Sequence, residues 1–360
     1  MTETAIIQAL LTFMQREESS DDDFNQLALD IFAYQFAHNL PYRRFALQRG
    51  RTPLTVNHWR NIPAIPISAF KDLTLSCRPI DEMAAIFMTS GTTGAVKGRS
   101  YHPTLDVWKC SMRLNFRQRF MTGRARIRMG ILFPDIAALP NSSLATYLDV
   151  AKQEFGTADS EVMVNENGLD MARLFAALEH AEASGEPYAL LGASYSFVQM
   201  LDEMQRQQRR FSLPEGSRIL DTGGFKGQSR EVGADEFYGA LSEACGIPRQ
   251  RCINMYGMTE ISTQFYDWGN ESCPPVKSGP HWIRTRVVNP LTGDDVPVGE
   301  IGVLVHHDLA HFNAVSALLT EDAGVMVPQG FHLLGRVTGA DAKGCSLAME
   351  EFLASAQVTQ

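Results

Sequence analysis

Between Thr89 and Gly98 the chain reads "TSGTTGAVKG", a run of glycine, serine and threonine closed by a lysine. Glycines let backbone approach an anion, hydroxyls donate hydrogen bonds and an ammonium group neutralises charge, so these residue types suit a phosphate. The run is not a Walker A loop, because Gly91 and Gly94 are too close together and Lys97 follows Val96 instead of a glycine. Taken by itself it is equally a solvated Gly/Thr turn. A serine-hydrolase elbow is excluded, since Ser90 lies between Thr89 and Gly91 and no G-x-S-x-G forms. "HHDLAH" sets His307 and His311 at the spacing of a zinc-binding helix, but "EIGVLVHHD" has the pattern of a strand running into it. His102, close to the Gly/Thr run, is a packed or surface histidine or a phosphate or acyl contact.

The elements that must position these residues alternate along the chain. "AAIFMTS", "RMGILFP", "YALLGAS", "SRILDTGG", "CINMYGM" and "GEIGVLVHH" are short apolar runs separated by helix-length segments. That order predicts an α/β fold with a substantial sheet, and several runs end in Gly, Ser, Thr or Asp, where ligands of such sheets usually bind. Upstream, "SDDDFNQLALDIFAYQFAHN" offers a capping serine, an acidic first turn and apolar Phe24, Leu27, Ala28, Ile31 and Phe32 at helical spacing. Pro63 and Pro66 in "NIPAIPISAF" enforce extended backbone, so this segment is expected to be a linker, with a boundary near residue 60. Tyr195, Phe197 and Met200 in "GASYSFVQML" could line an apolar substrate pocket or belong to the core.

Composition narrows the function classes. A chain of 360 residues accommodates one large domain with appendages or two domains. Hydrophobic content of 44% with 20% charged residues is that of a globular protein. No uncharged apolar run approaches the roughly 18 residues of a membrane helix, and the first residues lack the marks of an export signal, so a cytoplasmic protein is expected. A formal charge of −9 disfavours a nucleic-acid surface, and the local basic cluster "YRRFALQRGR" is explained by solvated helix ends. Cys77, Cys110, Cys245, Cys252, Cys273 and Cys345 are scattered, with neither a disulfide framework nor a zinc ribbon in their spacing.

As a pattern, "TSGTTGAVKG" resembles the phosphate loop of the adenylate-forming superfamily, which includes acyl-CoA synthetases and adenylation domains. Three further signatures follow in that superfamily's order: "DTGGFKG" (Asp221 to Gly227), "NMYGMTE" (Asn254 to Glu260) and "LTED" (Leu319 to Asp322), with "LLGR" closing at Arg336. "LALDIFAYQFAHNLPYRRF", "IPAIPISAFKD", "DTGGFKGQSREV", "HWIRTRVVNPLTGDDVPVGEIGVL" and "GCSLAMEE" together resemble the acyl-protein synthetase family typified by LuxE, over nearly the whole chain. The resemblance implies the large N-terminal domain of an adenylate-forming enzyme, with several sheets flanked by helices and without the usual full C-terminal domain. Its division would be a helical segment over 1–60, the core over 61–336 and a short tail over 337–360.

The same resemblance implies roles. Thr89, Ser90, Gly91, Thr92, Thr93, Gly94 and Lys97 would cradle the β- and γ-phosphates of ATP. Gly223, Gly224 and Phe225 would line the adenine or acyl side, and Tyr256, beside Gly257, would stack near the adenine. Thr259 would contact the α-phosphate, Glu260 would bind Mg²⁺, Asp322 the ribose, and Arg336 ribose or phosphate. Lys97, Thr259, Glu260 and Cys345 are the implied catalytic set, Cys345 being acylated before the acyl group passes to an acyl reductase. The lysine that larger relatives carry in their C-terminal domain has no counterpart in this sequence. Two alternatives stay open: a stand-alone ligase that loads an acyl carrier protein or coenzyme A with an aliphatic or aromatic acid, and a non-catalytic nucleotide-binding scaffold.

Overall fold

A computed structural model describes residues 1–90, 96–224 and 229–337, together with Gly344, Ser346, Leu347 and Glu350. The chain divides into two compact units, one from Met1–Leu114, Met258–Gln264 and Ser278–Gln360, the other from Asn115–Gly257 and Phe265–Lys277. The expected α/β alternation is present: each of the six apolar runs contains a strand. No helix among the described residues is long and apolar enough to cross a membrane.

In the first unit, helices Glu3–Met14, Asp21–His38 and Leu40–Gln48 lead the chain. Ser20 starts the second with a reciprocal capping box: its hydroxyl accepts from the Asp23 amide at 3.1 Å while the Asp23 carboxylate accepts from the Ser20 amide at 3.1 Å. Phe24, Leu27, Ala28, Ile31 and Phe32 are all buried, as their spacing predicts. Of the basic cluster, Arg43 is structural, donating to the carbonyls of Phe36 at 2.7 Å and Ala37 at 2.5 Å and so closing the end of the preceding helix.

The sheet of this unit runs antiparallel through Ile283–Val288, Ile301–Asp308, Ala317–Val327 and Gly330–Arg336. Ile65–Pro66 adds to it in parallel, Ile65 opposite Leu318 and Pro66 opposite Leu319. The proline-spaced segment is therefore a buried strand and not the expected linker. Proline's fixed φ is compatible with an outer strand, where its missing N–H is not needed. Gln35, fully buried, ties the second helix to this sheet: its amide donates to the Phe312 carbonyl at 3.0 Å and accepts from the Ser316 amide at 3.2 Å. Asn39 donates to the Ala314 carbonyl at 2.9 Å.

The second unit is a six-stranded sheet in the order Phe265–Tyr266, Cys252–Tyr256, Arg218–Thr222, Tyr188–Ala193, Arg128–Leu132, Glu161–Val162. All of its pairings are parallel except the first. Helices Ser143–Phe155, Met171–Ser184, Ser194–Arg206 and Ala234–Cys245 intervene, as crossovers between parallel strands require. Phe197 and Met200 are fully buried in its main apolar cluster with Leu190, Ile219 and Leu241, so of Tyr195, Phe197 and Met200 only Tyr195 is partly exposed.

Candidate active site

The Gly/Thr run is carried by a β-hairpin of the first unit. Strands Ala85–Met88 and Arg99–His102 pair antiparallel, Met88 opposite Arg99, and the run connects them. Its base is closed twice: the Thr89 amide donates to the Gly98 carbonyl at 3.0 Å, and the Gly98 amide donates to the Thr89 hydroxyl at 3.0 Å. Ser90 and Lys97 stand exposed on either side of this clamp. Gly91, Thr92, Thr93 and Gly94 lie outside the described residues.

Gly98 brings the hairpin against Glu260. A Cβ at Gly98 would meet Thr89 Cγ2 at 3.2 Å, Glu260 Oε1 at 3.4 Å and Phe70 Cβ at 3.5 Å. Glu260 is only 5% exposed. Burial pushes its carboxyl up to about 7, against the opposing pull of its own backbone amide, Arg336 and Lys71 and with a small push from Glu321. Lys71 is exposed on the short helix Ala69–Asp72, whose Phe70 forms part of the Gly98 contact. Thr259, one residue before Glu260, is half-buried in the same turn.

What fixes that turn is a buried polar network that the motifs did not reveal. Asp308, at the end of strand Ile301–Asp308, accepts from the amides of Ser262 at 2.7 Å, Thr263 at 2.9 Å and Ala310 at 3.1 Å, and from the Thr263 hydroxyl at 2.7 Å. His311 bonds Ser262 Oγ through Nδ1 at 2.9 Å and Ser100 Oγ through Nε2 at 3.4 Å. Ser100 in turn meets His102 Nε2 at 3.1 Å. His102 and His311 are thus packed relay residues between the hairpin and the turn, both kept neutral by burial, His102 at about 4. His307, also buried, lies edge-on to Trp59 at 4.9 Å between ring centroids, apart from the His311 bonds. The strand reading of "EIGVLVHHD" holds, Ile301–Asp308 being a strand of the first unit's sheet.

Asp322 and Arg336 face each other across adjacent strands, in register and with Arg336 Nε 3.3 Å from Asp322 Oδ1. Arg336 also meets Glu321 at 3.0 Å. Among the described residues no three His, Cys, Asp or Glu side chains gather as a metal set. A divalent ion here would take one protein carboxylate and fill its shell with phosphate and water oxygens, the habit of Mg²⁺. Glu260 fits that ion: a cation would return its desolvated carboxyl to the charged form.

In the second unit, Gly223 and Gly224 follow strand Arg218–Thr222, and Tyr256 and Gly257 close the neighbouring strand Cys252–Tyr256, so all four gather at the carboxyl edge of the parallel sheet. Gly223 has φ +74°, a conformation open to glycine. Asp221 underpins this edge, accepting from Ser194 Oγ at 2.7 Å, Asn254 Nδ2 at 2.9 Å and Tyr238 OH at 3.0 Å. The buried Lys277–Asp267 pair, 2.8 Å apart, fixes the other strand, Lys277 also donating to the Asn254 carbonyl at 2.9 Å. Phe225 and Cys345 lie outside the described residues.

Lys71, Asp308 and Asp221 are the residues that motif reading missed or left without a role. The signal for Lys71 was its place in "IPISAFKD", read for family likeness alone. Asp308 was visible only as the centre of a discarded zinc pattern.

Residues 5–354 match the family described as acyl-protein synthetase, LuxE. A long-chain-fatty-acid–luciferin-component ligase of Vibrio harveyi is 24% identical over 91% of this chain and 87% of its own length. Among solved structures, a 2-hydroxyisobutyryl-CoA ligase in an open conformation aligns with a TM-score of 0.62 at 15% identity, covering 90% of this chain and 75% of that one. ATP-bound MatB from Rhodopseudomonas palustris aligns with a TM-score of 0.52 at 19% identity over 72% of this chain, which spans only 49% of MatB. These structural likenesses fix the fold as that of the adenylate-forming enzymes. With the match running through almost every residue, the chain belongs to the acyl-protein synthetase (LuxE) family of acid-thiol ligases.

Proposed function

We propose that this protein activates a carboxylic acid, a fatty acid foremost, as an acyl-adenylate and passes the acyl group to a thiol. The observation that carries the reading is the abutment of a clamped Gly/Thr hairpin loop on the buried Glu260 carboxylate, at 3.4 Å from the Gly98 Cβ direction. The name of the Vibrio harveyi relative puts long-chain acids first among substrates.

In the first step a carboxylate oxygen of the acid attacks the α-phosphorus of ATP, and the bond to the β-phosphate oxygen breaks to release pyrophosphate. The chain must hold two anions together and screen their repulsion. Thr89, Ser90, Gly91, Thr92, Thr93, Gly94 and Lys97 hold the β- and γ-phosphates, and Thr259 orients the α-phosphate. Glu260 would hold Mg²⁺, which when bound would supply charge neutralisation on the phosphate oxygens. Asp322, steadied by Arg336, accepts from the ribose hydroxyls, while Gly223, Gly224, Phe225, Tyr256 and Gly257 receive the adenine. Lys71 adds a second cation on the Glu260 side. In this reading residues 61–336 form the catalytic core, 1–60 a helical layer on it and 337–360 a tail.

In the second step a thiolate sulfur attacks the acyl carbon, and the carbon–oxygen bond to AMP breaks. Cys345 takes this role and hands the acyl group to a partner such as an acyl reductase. The five described cysteines support it by their unsuitability, because burial raises the thiol of each of Cys77, Cys110, Cys245, Cys252 and Cys273 above its ordinary value.

ATP–pyrophosphate exchange with acids from acetate to long-chain and aryl tests the first step, and acid-dependent exchange lost in Lys71→Ala or Lys97→Ala is expected. Absence of exchange with every acid, in a folded chain, defeats the reading. For the second step, a hydroxylamine-labile acyl label on the protein should vanish in Cys345→Ser. A label that appears only on added carrier protein or coenzyme A moves the acceptor there.

A further inference from the structure

The second unit has a cavity of about 250 Å³ at the opposite edge of its sheet, lined by Phe120, Thr122, Arg218, Gln250, Arg251 and Ile253. Arg218 opens strand Arg218–Thr222, and Arg251 ends the turn before strand Cys252–Tyr256, so the cavity sits at the amino ends of two neighbouring parallel strands. Gly223 and Tyr256 close the carboxyl ends of the same strands. The usual ligand edge of this sheet is therefore the other one.

Two guanidinium-bearing residues, Arg218 and Arg251, line the cavity, and the Arg124 guanidinium lies beside Arg218. Arg218 is 2% exposed and fixed by backbone carbonyls, donating to Gly216 at 3.1 Å, Thr122 at 3.4 Å, and Phe120. Arg124 lies over Gly216, its Nη2 and Nε 2.7 and 3.0 Å from where a Cβ would stand. Gly216, at φ +93°, leaves that space to the guanidinium. Burial, with Arg251 and Arg124 beside it, pulls the Arg218 guanidinium down to about 10, and among the described residues no carboxylate raises it. Elsewhere in this unit arginines meet acids: Arg206 pairs with Glu203, Arg230 with Asp202 and Arg249 with Asp235. Gln250, which lines the cavity, donates its side-chain amide to Glu271.

We propose that this cavity is a binding site for a phosphate dianion, free or carried on a small molecule, held by Arg218 and Arg251 of its lining with Arg124 beside them. Three guanidiniums exceed what one carboxylate can use, whereas the tetrahedral oxygens of a phosphate accept from several forks at once. The volume falls below the roughly 300–1,000 Å³ of drug-sized pockets and suits a small anion.

Calorimetric titration of the full chain with inorganic phosphate, pyrophosphate and a phosphomonoester tests this, in wild type, Arg251→Gln, Arg124→Gln and Lys97→Ala. Phosphate at the Gly/Thr loop is lost in Lys97→Ala. The proposed site is expected to persist there and to weaken about tenfold or more in Arg251→Gln, the loss of one charge-assisted pair. Arg124 is exposed, so Arg124→Gln reads the site without disturbing the core. Tighter binding of the phosphomonoester than of inorganic phosphate assigns the carried form, and the reverse assigns the free ion. Titrations unchanged in both arginine variants, or acetate or a glutamate-rich peptide competing as well as phosphate, overturn the proposal.

Discussion

A carboxyl buried to 5% exposure and raised to about 7 makes Glu260 the residue where acid strength and stability meet, and where the proposed Mg²⁺ would bind. Between its ordinary 4.5 and about 7 the folded chain holds a proton that the unfolded chain has released. Stability therefore falls as pH rises through that window, and Glu260→Gln should flatten that part of the pH–stability curve, as followed by thermal unfolding. A cation needs the charged form, so Mg²⁺-dependent pyrophosphate exchange should climb as pH rises through about 7. In Glu260→Gln exchange should drop by about 10²-fold or more with the unfolding temperature nearly unchanged. Gly98→Ala puts a methyl 3.2 Å from Thr89 Cγ2 and 3.4 Å from Glu260 Oε1. It should lower exchange far more than stability, a ratio that kinetics and denaturant titration together would read. Glu260 was legible because its motif is local. Lys71 was not, because its effect on Glu260 spans a sequence separation that no spacing rule covers.

Elements were legible where period and capping agree. The helix from Asp21 follows from Ser20, an acidic first turn and an apolar stripe, and the six short apolar runs became strands. "NIPAIPISAF" failed because proline marks extended backbone without saying whether a strand pairs with it, and the partner lies at Leu318 and Leu319. Register across such distances is decided by packing. Asp308 shows the same limit: its four hydrogen-bond donors come from Ser262, Thr263 and Ala310, two of them far upstream. Asp308→Ala leaves three buried amides without their acceptor. It is expected to cost about 3–5 kcal/mol, measured by urea unfolding, and to loosen the turn that holds Thr259 and Glu260. Asp308→Asn, which keeps an acceptor oxygen, should cost less.

At the scale of the whole chain, neither unit is continuous in sequence: the first takes Met1–Leu114, Met258–Gln264 and Ser278–Gln360. Composition and motif order gave the fold class, but not this interleaving, which follows from where strands find partners. Gln35→Ala, which strips donors and an acceptor from the Phe312–Ser316 segment, should lower stability by about 2 kcal/mol in equilibrium unfolding. The consequence reaches back to synthesis. When Gln35, Asn39 and Ile65 leave the ribosome, the carbonyls and strand they bind, at Phe312, Ala314 and Leu318, have not yet been translated. The amino-terminal helices must wait, apolar faces uncovered, through more than two hundred residues of elongation. The nascent chain is thus the form of this protein most dependent on chaperones and most exposed to proteases.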